Sequence, residues 1–190
     1  MILPGISAGF ITFGTIGFAF IPYYDGKIDQ IREHSDGTKF KHNKVVNYIY
    51  RAQSDDTEAN IIHDHIDILK KLDASKLLIE KKNRLVLKKY KFATCDAITA
   101  ANMSGASPRT QLSEIDKYTM DLSKMEEIHD SHLDKAYAGL IKYSNSIASD
   151  KRQINGLRKK KGWYWLGSII LNAIGGILAI FSSCMKKEKG

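Results

Sequence analysis

Residues Met1 to Tyr24, MILPGISAGFITFGTIGFAFIPYY, contain no charged side chain, and Trp163 to Ser183 form a second uncharged run. The hydrocarbon core of a bilayer is ~30 Å thick, and about 20 apolar residues in a helix cross it. A chain with such a run near each end is expected to be framed by membrane. Hydropathy averaged over the whole chain hides both runs, because the residues between them are polar; a window of about 19 residues reveals them. Between the runs there is no useful strand-type alternation, internal repeat or low-complexity tract. The expected class is therefore all-α: a membrane protein whose N-terminal and C-terminal transmembrane helices frame a polar helical middle.

Lys and Arg number 29 against 21 Asp and Glu, a net charge of +8. Much of the excess flanks the second run. Lys151, Arg152, Arg158, Lys159, Lys160 and Lys161 precede it, and Lys186, Lys187 and Lys189 follow it. Basic residues beside a span anchor it to phosphate headgroups, and Trp marks the same level. Arg158, Lys159, Lys160, Lys161, Trp163 and Trp165 are accordingly the candidate lipid-interface residues. No helix-turn-helix pattern or aromatic-rich sheet motif points to nucleic acid. Cys95 and Cys184 suggest neither a disulfide framework nor a metal site, there being no CxxC pair. The first run lacks a basic lead-in and a small-x-small cleavage site, so it is expected to be retained rather than removed.

Both runs carry small residues at helical spacing. Gly5 and Gly9 make a GxxxG step, which Gly14 and Gly17 extend; Gly175, Ala179 and Ser183 recur every four residues. In lipid there is little hydrophobic drive between helices, and small residues promote association by letting backbones approach. Asn172, near the middle of the second run, is expected to bond to another helix. These eight residues are the candidate helix-packing positions.

The expected organisation is a span over 1–24, an irregular polar stretch over 25–53 with one short helix near Val45 to Arg51, an amphipathic helical region over 54–161, a span over 162–184, and a basic tail over 185–190. Within 54–161, Ser54-Asp55-Asp56 opens a helix with the stripe Ile62, Ile66, Leu69 and Leu72. A second helix runs from Ser75 to about Met103, bearing Leu78, Leu85 and Tyr90. Ser104 to Pro108 is a break. Ser113 to Asp116 then caps a long helix with Ile115, Leu122, Met125, Leu133, Leu140 and Ile141. Glu126 and His129 form one Glu-x-x-His step, followed by His132. A helical di-iron site needs two such steps and two further carboxylates, so these histidines read as polar helix surface. His63 and His65 point to different sides of a helix. No P-loop, G-x-S-x-G or dinucleotide loop is present, and no catalytic, cofactor or metal site is expected.

Ile2-Leu3-Pro4-Gly5-Ile6-Ser7 resembles the start of the MWFE accessory subunit of mitochondrial respiratory complex I. That family opens with a very short leader, then Ile-Leu-Pro-Gly-Leu-Ser and a single glycine-bearing span. Gly9 is close to the family's next glycine, and Tyr23-Tyr24 resembles its Tyr-rich exit. Gly26-Lys27 or Gly37-Thr38-Lys39 answers its Gly-Lys step, and Tyr48 to Arg51 sits where it has an aromatic before a basic run. The resemblance covers residues 1–53 at most. The Trp-Phe-Glu before the motif is absent, and the family is shorter, with no second span. The resemblance implies a non-catalytic subunit of the inner-membrane arm that supports assembly, with other membrane-arm subunits and phospholipid as partners, cardiolipin being the lipid suited to that membrane. It puts the middle in the intermembrane space, whereas the distribution of Lys and Arg around the spans would put it on the matrix side; the expectation follows the resemblance. The same small-residue faces and amphipathic helices are compatible with a homo-oligomeric membrane pore or effector, or with a membrane-anchored helical tether for a soluble partner.

Overall fold

The computed structural model describes residues 3–105, 110–118 and 121–187. They form α1 (Leu3–Lys71), α2 (Lys76–Ser104), a short 3-10 helix (Leu112–Tyr118) and α3 (Leu122–Lys187). Among the described residues there is no strand, and the fold is all-α as expected. Helices α1 and α3 are each long and apolar enough to cross a membrane.

The second predicted helix agrees with α2, which ends on Gly105 in the left-handed region at φ 65°. Three expectations are corrected. Residues 25–53 are helical throughout rather than irregular, and Ser54-Asp55-Asp56 lies inside α1 rather than at a start. Ser113 to Asp116 fall in the 3-10 helix. The cap of α3 is Asp121, whose Oδ1 accepts the backbone N–H of Lys124 at 3.1 Å, satisfying a donor the first turn leaves open. Most of the predicted break (106–109), Met1 and Ile2, and residues 188–190 of the basic tail lie outside the described residues.

Two compact units make up the chain: Met1–Asp36 with Ala148–Gly190, and Gly37–Ile147. In the first, α1 and α3 run antiparallel as a helix pair. Gly14 meets Asn172 and Gly17 meets Ser168, while Lys161 pairs with Asp25 and Asp150 with His34. The covered side of α1 is Ser7, Phe10, Gly14, Gly17, Ile21, Tyr24, Ile28, Ile31 and Ser35. These positions alternate three and four apart, the spacing of a left-handed two-helix seam. Along α3 the seam continues through Ile154, Leu157, Lys161, Ser168, Leu171, Gly175 and Leu178.

The second unit is a three-helix bundle. Antiparallel α1 and α2 are joined by a tight turn in which Ala74 N–H bonds to Leu69 C=O and Asp73 N–H to Lys70 C=O, the paired bonds of a Schellman ending. Asp73 holds the left-handed position, φ 56°. One core cluster contains Val45, Ile49, Ala100, Ala101 and Ala136; the other contains Ala59, Ile66, Val86, Tyr90 and Met125. Polar links reinforce them. Lys89 bridges Asp55 and Glu58 at 2.8 and 2.7 Å, and its hydrogen bonds to those carboxylates push its pKa up to about 12.

Candidate functional site: the helix pair

In the helix pair the usual distribution of side chains is inverted. The close approaches in the apolar part of the seam involve small or polar residues, Ser7, Gly14, Gly17, Ser168, Asn172 and Gly175, beside the half-buried Phe10, Ile21, Leu171 and Leu178. Many of the large apolar side chains point away from it. Phe13 is 66% exposed, Ile180 66% and Phe181 63%, and Ile16, Ile170, Ile174 and Ile177 are exposed as well. An amphipathic helix of a water-soluble fold turns its apolar stripe inward. Lipid tails solvate Leu, Ile and Phe as well as a protein core does, so membrane helices meet instead through small residues.

The contacts are close. A Cβ added to Gly14 would lie 2.7 Å from Asn172 Cγ, and one on Gly175 would lie 3.1 Å from both Ser7 C=O and Ile11 N. A Cβ on Gly17 would collide with the Ser168 hydroxyl. Four polar side chains in this region find a partner along their own helix. Asn172 donates its amide N–H to Ser168 C=O at 2.9 Å, and Ser168 donates its hydroxyl to Tyr164 C=O at 2.7 Å. Thr12 and Thr15 bond to the Ala8 and Ile11 carbonyls. Internal satisfaction of this kind is what a water-free surrounding demands. Asn172 thus corrects one expectation: it fills the notch at Gly14 and bonds to its own helix.

Of the eight predicted packing positions, the structure brings Gly14, Gly17, Asn172 and Gly175 into the seam. Among the described residues, nothing lies within 4 Å of where a Cβ on Gly5 or Gly9 would sit, so the GxxxG step makes no close contact with them. Ser183 is exposed and bonds to Ala179 C=O at 2.9 Å; the seam passes through Leu178 instead. Ser7 and Ser168 were missed. Their signal is the seven-residue recurrence of Ser7, Gly14, Ile21, Ile28 and Ser35 along α1 and of Ile154, Lys161, Ser168 and Gly175 along α3.

At one end of the apolar zone the chemistry changes within a turn or two. Tyr164 packs between Phe20 and Tyr24, each at a ring-centroid distance of 5.5 Å. Trp163 and Trp165 are 74% and 52% exposed. Beyond them Lys161 Nζ contacts both Asp25 oxygens at 2.6 and 2.8 Å, while Arg158, Lys159 and Lys160 are exposed. Pro22 sits in α1 here. It cannot donate to Phe18 C=O, a loss that water and headgroups can make good at the edge of a bilayer but not at its centre. Further along, the seam turns aliphatic with Ile28, Ile31, Ile154 and Leu157.

Two histidines of the bundle, His129 and His132, are not surface residues, contrary to expectation, whereas His63 and His65 are exposed. His129 and His132 are buried. His132 Nδ1 lies 2.8 Å from Ile128 C=O, which can only accept, so Nε2 accepts the Thr110 hydroxyl at 3.1 Å. His129 Nδ1 is 3.0 Å from Asp130, and its buried Nε2 has no hydrogen-bond partner. Among the described residues no three His, Cys, Asp or Glu side chains converge on a point where a metal ion would sit.

No protein-family model, curated protein or solved structure matches the chain.

Proposed function

We propose that the chain is a non-catalytic structural subunit anchored in a membrane by a helix pair, and that its assembly is the inner-membrane arm of mitochondrial complex I. The observation that carries the anchor is the inverted helix pair, with small residues inside and bare Phe and Ile outside. The choice of complex rests on the resemblance of the first residues to the MWFE family. In this reading the two spans hold neighbouring subunits and phospholipid, and the bundle projects into the intermembrane space. Blue-native electrophoresis of mitochondria carrying the tagged chain tests it. Comigration with NADH dehydrogenase activity is expected, and migration apart from that activity overturns the assignment to complex I.

The second reading, a tether for a soluble partner, is favoured by the bundle's two cores and its bare aromatics Phe40 and Tyr50, 61% and 73% exposed. A photocrosslinker placed at Tyr50 in intact membranes distinguishes them: capture of a soluble protein supports the tether, and capture of a membrane-arm subunit supports the first reading. A pore has less to draw on, since the outward face of the spans offers Phe and Ile rather than a polar lining, and the exposed Thr12 and Thr15 hydroxyls are spent on their own backbone.

A further inference from the structure

We propose that the helix pair binds one anionic phospholipid at a defined site, with an acyl chain in a groove between the spans and the phosphate held by Lys27 and Lys160. The proposal rests on the membrane-anchor reading and specifies the lipid that reading leaves general.

Two grooves lie between α1 and α3 in this unit. The first, about 430 Å³, is lined by Phe10, Phe13, Phe20, Trp163 and Leu171 among others, with Gly17, Gly167 and Ser168 at its base. The hydroxyl of Ser168 is already engaged by Tyr164 C=O, and most of the remaining lining is apolar. It therefore offers hydrocarbon a mainly apolar surface. The second groove, about 390 Å³, is lined by Lys27, Gln30, Ile31, Gln153, Gly156, Leu157 and Lys160.

The two grooves open on the same face of the pair, because the helices keep a seven-residue register. Lys27 is one heptad beyond Phe20, and Ile31 two heptads beyond Gly17. On α3, Gly156 and Lys160 stand one heptad before Trp163 and Gly167. A heptad rises ~10 Å along a helix. Lys27 thus stands ~10 Å past Phe20, and Lys160, three residues before Trp163, ~5 Å past that residue, both within the span of a headgroup zone and within reach of a snorkelling ammonium. Lys161 is occupied by Asp25; the cations lining the second groove are Lys160 and Lys27, the latter with its Nζ 4.7 Å from the centre of the Tyr23 ring. The sequence of surfaces is hydrocarbon groove, aromatic rim, then two cations and two amides. An anionic phospholipid has the same order of chemistry.

The test uses the full chain with Trp165→Phe, so that Trp163 in the groove wall is the single fluorophore, reconstituted in phosphatidylcholine vesicles. Trace phosphatidylglycerol or trace phosphatidylcholine with brominated acyl chains is then added as quencher. The site predicts quenching by the anionic lipid about fivefold above that by phosphatidylcholine at equal mole fraction. Gly167 has open space where its Cβ would go, so Gly167→Leu fills the groove without a clash and abolishes the preference. Gly176 is equally open and lies outside the groove; Gly176→Leu retains the preference. Lys27→Ala with Lys160→Ala brings the two lipids to parity. Equal quenching by both lipids in the parent protein overturns the site, as does an undiminished preference in Gly167→Leu. Alkaline carbonate extraction separates the two ideas: release of the chain from membranes defeats the anchor itself, whereas retention without lipid preference defeats only the site.

Discussion

Asp96 shows how burial and charge compete at one residue. Its side chain is nearly covered inside the bundle, and Arg51 Nε lies 3.0 Å from Oδ2 without pointing a hydrogen bond at it. Burial raises its pKa, Asp55 adds to the rise, and Arg51 opposes it. The carboxylate form is therefore disfavoured in the folded bundle relative to the unfolded chain. A raised acid makes the protein less stable above its folded pKa, and that penalty disappears as pH falls through it. Asp96→Asn, which mimics the protonated form, is expected to melt higher than wild type at pH 7, with the gap narrowing on acidification. A lower melting temperature at pH 7 would show that the Arg51 pairing outweighs burial. Gly26 makes a second residue-scale case. It is helical and has nothing within 4 Å of a Cβ position. Gly26→Ala should stabilise the helix pair by about 0.5–1 kcal/mol, read as a higher midpoint in thermal unfolding.

At the scale of elements, the seam separates glycines that are used from those that are not. Gly17→Ala drives a methyl into the Ser168 hydroxyl, and overpacking of this kind costs about 1–3 kcal/mol. Removing the obstacle with Ser168→Gly should recover most of that loss, so the double variant is expected to unfold later than Gly17→Ala alone. No described residue lies within 4 Å of a Cβ on Gly9, so a defect that Gly9→Leu produces in assembly would report a contact beyond the described helix pair. The ends of the apolar runs and the whole of α2 were legible in the sequence, because long uncharged stretches and amphipathic stripes speak for themselves. Residues 25–53 were not. Gly26 and Gly37 read as breakers, and the covered positions Ile28, Ile31, Ser35, His42 and Val45 of α1 mix apolar with polar residues, which blurs the helical stripe. Packing against the opposite helix outweighs the low propensity of those glycines. The buried histidines were hidden for a related reason: His132 is covered by Thr110, 22 residues before it in sequence, and nothing local announces that.

For the whole molecule, antiparallel pairing of the apolar segments of α1 and α3 means that residues 25–36 and 148–161 leave the membrane at the same end of the pair. Cys95 lies between the spans in the chain and Cys184 at the far end of the second, and Cys184 is exposed. In sealed, oriented membranes a membrane-impermeant maleimide is expected to reach these two cysteines from opposite sides. Labelling of both from one side would rule out two complete crossings. The same experiment in mitochondria with a permeabilised outer membrane decides whether the bundle faces the intermembrane space.

The Lys161–Asp25 bond joins residues 136 apart in sequence, and this sets a schedule for the newborn chain. At 5–20 residues per second, synthesis of that interval takes on the order of 10 s. For all of that time the first span presents its Gly14 and Gly17 notches with nothing to fill them. Insertion of this protein is therefore a matter of timing: the first helix must be sheltered, in lipid or by a chaperone, until the last one arrives.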